Sequence, residues 1–146
     1  MPSLVTERIE SVKAGIVGAS SFALAESAFW LAKIVINLAL FNGTVTETAG
    51  LLEGNWAIKL AIGAVSGFLF GVTYRYVIRS DRNSHLNDGA VLAFGLVRGL
   101  ALIEQNLSLS ELLSLGGLVL QSIICFAIAR SALDLAIAHK KIKPFV

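Results

Sequence analysis

Four long apolar runs separated by short polar connectors govern what this chain can become. They lie at about residues 14–41, 55–79, 88–106 and 110–138, each near or above the roughly 20 residues that a helix needs to cross a bilayer. Inside hydrocarbon the backbone must satisfy its own hydrogen bonds, which leaves only helices and closed barrels. The roughly ten-residue in-out alternation of barrel strands is missing, so helix is expected. Composition agrees: 55% of the residues are hydrophobic and 15% charged, against about 45–50% and about 25% in soluble domains. A soluble domain of this length leaves much of its surface wet, and there are too few charges here to coat it. The expected fold class is all-α: a polytopic membrane protein, one four-transmembrane-helix bundle over residues 1–146.

The connectors mark the boundaries. Asn42-Gly43-Thr44 closes the first run, Glu53-Gly54-Asn55 precedes the second and Asn87-Asp88-Gly89 the third. Ser108 with Glu111 three residues later reads as a capping box opening the fourth. The first ten residues mix acids with bases and lack a short apolar core ahead of a small-residue cleavage site. The first span is therefore expected to stay in the mature protein. Arg8 and Lys13 precede that span, Arg75, Arg79 and Arg82 cluster around the middle connector, and Lys140, Lys141 and Lys143 follow the fourth; residues 42–54 and 107–109 contain no Lys or Arg. Cations resist translocation, so both termini and the middle connector are expected on the cytoplasmic side, or the stromal side of a thylakoid. Tyr74 and Tyr76 at one end of the second span and Trp56 at the other fit interfacial aromatic belts.

Lipid removes the hydrophobic drive for helices to meet, so small side chains that let backbones approach are the usual substitute. Gly63, Gly67 and Gly71 stand four apart in the second span, Gly95 and Gly99 repeat the interval in the third, and Gly15, Ala19, Ala23 and Ser27 do so in the first. These GxxxG-like stripes predict tight helix packing, within the chain, between identical chains or with another protein.

Ionisable groups at membrane depth cost about 2.5–3.5 kcal/mol each, so they face protein or water and find a partner. Counting about 1.5 Å per residue from the basic ends puts Glu26 roughly 18–20 Å deep and Arg98 roughly 15 Å deep. A Glu26–Arg98 pair across the first and third helices is expected. Three roles stay open for it: a register-fixing ion pair, a proton or ion path, or a site engaging another membrane protein or a pigment. Lys33, seven residues beyond Glu26, and Glu104 form a second candidate pair. Arg130 and Asp134 are spaced for an i,i+4 contact in the fourth span, or Arg130 snorkels and Asp134 is interfacial.

Other chemistries lack their residues. Cys125 is the single cysteine and His85 and His139 lie outside the spans, so neither disulfides nor a metal centre is expected, and no span offers a histidine to haem or chlorophyll. No Ser, His and acid set shares a depth, and no phosphate-cradling loop follows a strand. The net charge of +2 is too small to point to nucleic acid. The chain is expected to have no catalytic residues and no cofactor, and to meet lipid together with other membrane proteins or copies of itself. Its lysine-bearing tail can rest on anionic lipid.

The stretch from Gly71 to Glu104, GVTYRYVIRSDRNSHLNDGAVLAFGLVRGLALIE, and the ending KIKPF resemble a group of small integral membrane proteins of cyanobacteria and plastids that has no established activity. The resemblance covers the second and third spans and the connector between them; it brings no catalytic or binding residues. It implies a photosynthetic setting, in a thylakoid or plasma membrane. The function expected is that of a non-enzymatic accessory, assembly or scaffold protein of a larger membrane complex. The alternative is a small oligomeric transporter or channel with Glu26 and Arg98 lining its pathway.

Overall fold

A computed structural model describes residues 4–40, 56–77, 84–104 and 112–143, without the side chains of 84, 103, 104 and 112–115. Four helices make up these residues: α1 (Leu4–Leu40), α2 (Trp56–Val77), α3 (Ser84–Glu104) and α4 (Leu112–Ala138). Three stretches are long and apolar enough to cross a membrane, namely α1, α2 and Gly116–Ala138 of α4. The polar opening of α3, with His85, Asn87 and Asp88, and its mid-helix Arg98 set it apart from these.

Two helices start earlier than their apolar runs. Helix α1 begins at Leu4 because Glu7 in its first turn faces the positive end of the helix dipole and because Glu10, Ser11 and Ala14 are buried against neighbours. Helix α3 takes in Asn87-Asp88-Gly89, which sequence alone places ahead of it, and Asp88 there pairs with Arg130 of α4. The connector signals Asn42-Gly43-Thr44, Glu53-Gly54-Asn55 and Ser108 with Glu111 lie outside the described residues.

The helices associate as two close pairs, α1 with α2 and α3 with α4; α1 then packs on α4, while α2 touches α3 and α4 more loosely. Glycine sets the closeness of both pairs. A Cβ on Gly67 would stand 2.7 Å from the carbonyl oxygen of Gly18, one on Gly18 would fall onto the carbonyl oxygen of Gly67, and one on Gly71 onto that of Ala14. In the second pair, a Cβ on Gly99 would meet Val119 Cα at 2.7 Å and one on Gly95 would meet Ile123 Cα at 2.9 Å.

The seam on α1 departs from the every-fourth-residue stripe. Its buried positions are Glu10, Ser11, Ala14, Gly15, Gly18, Phe22 and Ala25, with three- and four-residue steps mixed, because a strict four-residue stripe drifts about 40° per step around a helix of 3.6 residues per turn. Gly18 therefore sits in the seam, Ala19 borders it with its Cα beside Gly67, and Ala23 and Ser27 are only half-buried.

Each helix contributes one phenylalanine to the centre. Phe22 of α1 and Phe126 of α4 have ring centroids 4.6 Å apart, Phe70 of α2 lies 5.2 Å from Phe126 and 5.4 Å from Phe94 of α3, and Phe94 lies 5.7 Å from Phe126. Tilted and edge-on pairs at such spacings are favourable for aromatic rings.

At one end of the bundle the start of α1, the end of α2, the start of α3 and the end of α4 come together through polar side chains described below. Helix α4 terminates there in a Schellman-type turn: Lys141 N–H donates to Ala136 O at 2.9 Å and Lys140 N–H to Ile137 O at 2.9 Å, with Lys140 at φ 56°. The turn buries Ile142, 2% exposed, in the core. At the opposite end Trp30 stacks on Trp56 with centroids 6.3 Å apart. Since Trp56 opens α2, the last ten residues of α1 run roughly 15 Å beyond it. Leu31, Val35, Ile36, Leu38 and Leu40 are exposed there.

Candidate functional site

Among the described residues the ion pairs gather in two regions, one midway along the bundle and one where α2 ends and α3 begins. Midway, Arg98 Nη2 donates to Glu26 Oε1 at 2.7 Å, with the two side chains 8% and 19% exposed. The same nitrogen approaches Lys59 O at 3.4 Å, and the guanidinium lies 5.0 Å from the Phe22 ring centroid, within cation–π range. Gly63 makes the room: a Cβ there would fall onto Glu26 Oε2 and stand 3.0 Å from Arg98 Nη2. The α2 backbone thus admits a carboxylate from α1 and a guanidinium from α3 at one level. Among the described residues Glu26 Oε2 and Ser122 Oγ are buried without a hydrogen-bond partner.

Lys33, one half of the expected Lys33–Glu104 pair, has a partner on α4. Its ammonium donates to Gln121 Oε1 of α4 at 2.8 Å, because α1 packs along α4 rather than α3. The Glu104 side chain lies outside the described residues.

Beside the Glu26–Arg98 pair, the loosely packed α2 and α3 leave a groove of about 470 Å³. Ile58, Ile62 and Leu69 line one wall and Val97 and Ala101 the other, with Phe126 also contributing; among the described residues Lys59 and Arg98 bring its cations.

Where α2 ends, Arg75 is 1% exposed and fully engaged. Its Nη2 pairs with Glu7 Oε2, its Nη1 donates to Ser11 Oγ at 2.7 Å and Glu7 O at 3.0 Å, and its Nε donates to Lys143 O at 2.9 Å. Glu10 holds the same tail from the other side, accepting the Lys143 N–H at 3.0 Å and pairing with Lys13 at 2.8 Å. One buried guanidinium thus ties α1, α2 and the segment after α4. From sequence Arg75 reads as a topology-setting charge; the missed signal is that it lies a turn inside its span, facing an α1 start that offers Glu7 and Glu10.

A second network lies nearby. Tyr74, fully buried, donates its hydroxyl to Asp134 Oδ1 at 2.8 Å and accepts from Arg130 Nε at 3.2 Å. Arg130 also pairs with Asp88 of α3 through Nη1 and lies 3.6 Å from Asp134 Oδ2, the expected i,i+4 partner. The arginine therefore does more than snorkel: it reaches across to a second helix. Tyr74→Phe removes the hydroxyl that joins α2 to this network. Because Asp134 and Arg130 remain partly solvated, a loss of about 1 kcal/mol is expected, read from the unfolding midpoint in a dodecyl sulfate titration.

Among the described residues no group of three His, Cys, Asp or Glu could hold a metal ion. Cys125 is buried, and His85 and His139 are exposed. Arranged in this way, the charged groups join helices to one another. Comparison of the chain with protein-family models, with curated proteins and with solved structures gives no match.

Proposed function

We propose that this chain is a non-enzymatic accessory, assembly or scaffold component of a larger membrane complex. In this reading all four helices insert, α3 being admitted because Arg98 enters already neutralised by Glu26. The basic connector and both termini lie on the cytoplasmic or stromal side, following the Lys and Arg count. The resemblance to cyanobacterial and plastid membrane proteins favours a thylakoid or plasma membrane. The observation that carries the reading is the enclosed Glu26–Arg98 contact, whose side chains are 19% and 8% exposed, a state suited to holding helix register. The apolar overhang of α1, with Leu31, Val35, Ile36 and Leu38 uncovered by the described residues, offers lateral contact area.

Gentle solubilisation of a tagged chain, native separation and identification of the co-migrating species test this. Stoichiometric recovery with defined membrane proteins is expected; recovery only as a small homo-oligomer overturns it.

A second reading, a small oligomeric transporter or channel, draws on the unpartnered Glu26 Oε2 and Ser122 Oγ. Glu26→Gln separates the two. A scaffold loses about 1–3 kcal/mol of stability, because the amide oxygen still accepts from Arg98 but the charge-assisted bond is lost, yet keeps its partners. A transporter reconstituted in vesicles loses its proton or ion flux while the bundle remains assembled.

A further inference from the structure

We propose that the groove between α2 and α3 binds one acyl chain of an anionic lipid, with Lys59 at its mouth receiving the headgroup charge. The inference is independent of the scaffold reading. Three observations carry it: the size of the groove, the character of its walls and the placement of its charge. From Lys59 to Leu69 the groove follows ten residues of α2, roughly 15 Å. A single extended hydrocarbon chain can lie along a groove of that length and of about 470 Å³. The walls match such a chain: Ile58, Ile62, Leu69, Val97 and Phe126 are apolar, and the Ser66 hydroxyl is already spent on Ile62 O at 2.8 Å.

Charge selects the headgroup. Glu26 neutralises Arg98 at the groove's inner side, whereas no carboxylate pairs with Lys59 among the described residues. Lys59 is exposed and stands three residues from Trp56, and tryptophan marks the membrane interface. From there its flexible stem carries the ammonium to headgroup level. A zwitterionic lipid brings its own cation to that point, while an acidic one supplies the missing counter-charge.

The test uses the full chain in nanodiscs of equimolar phosphatidylcholine and phosphatidylglycerol, with no other membrane-spanning protein present. After re-extraction into detergent, native mass spectrometry counts the lipids retained. A single phosphatidylglycerol is expected, favoured over phosphatidylcholine by about five-fold, the ratio equivalent to about 1 kcal/mol for one basic residue at a membrane surface. Lys59→Gln abolishes the preference but still retains a lipid. Ser66→Phe, which fills the groove, abolishes retention of either lipid; Val97→Phe does so from the opposite wall should the first variant fail to fold. Equal retention of the two lipids by the native chain overturns the proposal, as does an unaltered preference in Lys59→Gln. Retention that survives both groove-filling substitutions in folded protein also overturns it.

Discussion

Arg75→Met is expected to lower the stability of the bundle by about 3 kcal/mol, the lower end of the range for breaking a buried ion pair. The guanidinium is 1% exposed and makes bonds to Glu7, Ser11 and the Lys143 carbonyl. Methionine fills much of the volume but donates nothing, so an acid, a hydroxyl and a carbonyl lose their donor together. The lower end applies because Glu7 keeps 19% of its side chain exposed and can hydrate. Arg75→Lys retains the charge but loses the planar fork that serves three partners, and recovers about half of the loss. Adding Glu7→Gln to Arg75→Met removes the stranded charge and recovers part of it as well. Dodecyl sulfate titration followed by circular dichroism measures all three variants. A loss below about 1 kcal/mol in Arg75→Met contradicts the account, because one hydrogen bond alone is worth about that much.

Gly18→Val is the second large effect, also about 3 kcal/mol, at the upper end for overpacking a tight interface. A Cβ on Gly18 would fall onto the Gly67 carbonyl oxygen and stand 3.0 Å from Gly71 Cα. These are backbone atoms that cannot rotate aside, so α1 and α2 must separate along their whole seam. Gly18→Ala shows the same sign with smaller size, since alanine regains up to about 1 kcal/mol of helix propensity. The control is Gly116→Ala, where nothing stands within 4 Å of the added carbon and propensity alone predicts a gain of up to about 1 kcal/mol. Opposite signs at the two glycines are expected; a loss at both points to a general intolerance of alanine rather than to the seam.

Much of the architecture is legible in the sequence because hydropathy and helical rise are local properties. The apolar runs predict helices within a few residues of α2, α3 and α4. Rise per residue alone sets Glu26 and Arg98 within about 5 Å of each other in depth, and the structure has their side chains 2.7 Å apart. Contacts that depend on which helices are neighbours are not readable in that way. Lys33 meets Gln121 because α4 lies beside that turn of α1, and Gly18 enters the seam because the helix twists away from a four-residue stripe. Arg75 is hidden for a further reason. One of its acceptors, Lys143 O, is delivered by a left-handed Lys140, a conformation that non-glycine residues adopt infrequently and that no local pattern here announces.

That delivery bears on the order in which the protein is made. Arg75 lies near the middle of the chain, yet its set of acceptors is complete only once residue 143 has left the ribosome and the turn at Lys140 has swung it back against Glu10. Until then Arg75 has one of its acceptors missing. The first two helices can pair before then, but the polar lock at this end of their seam is completed only by the turn that follows α4.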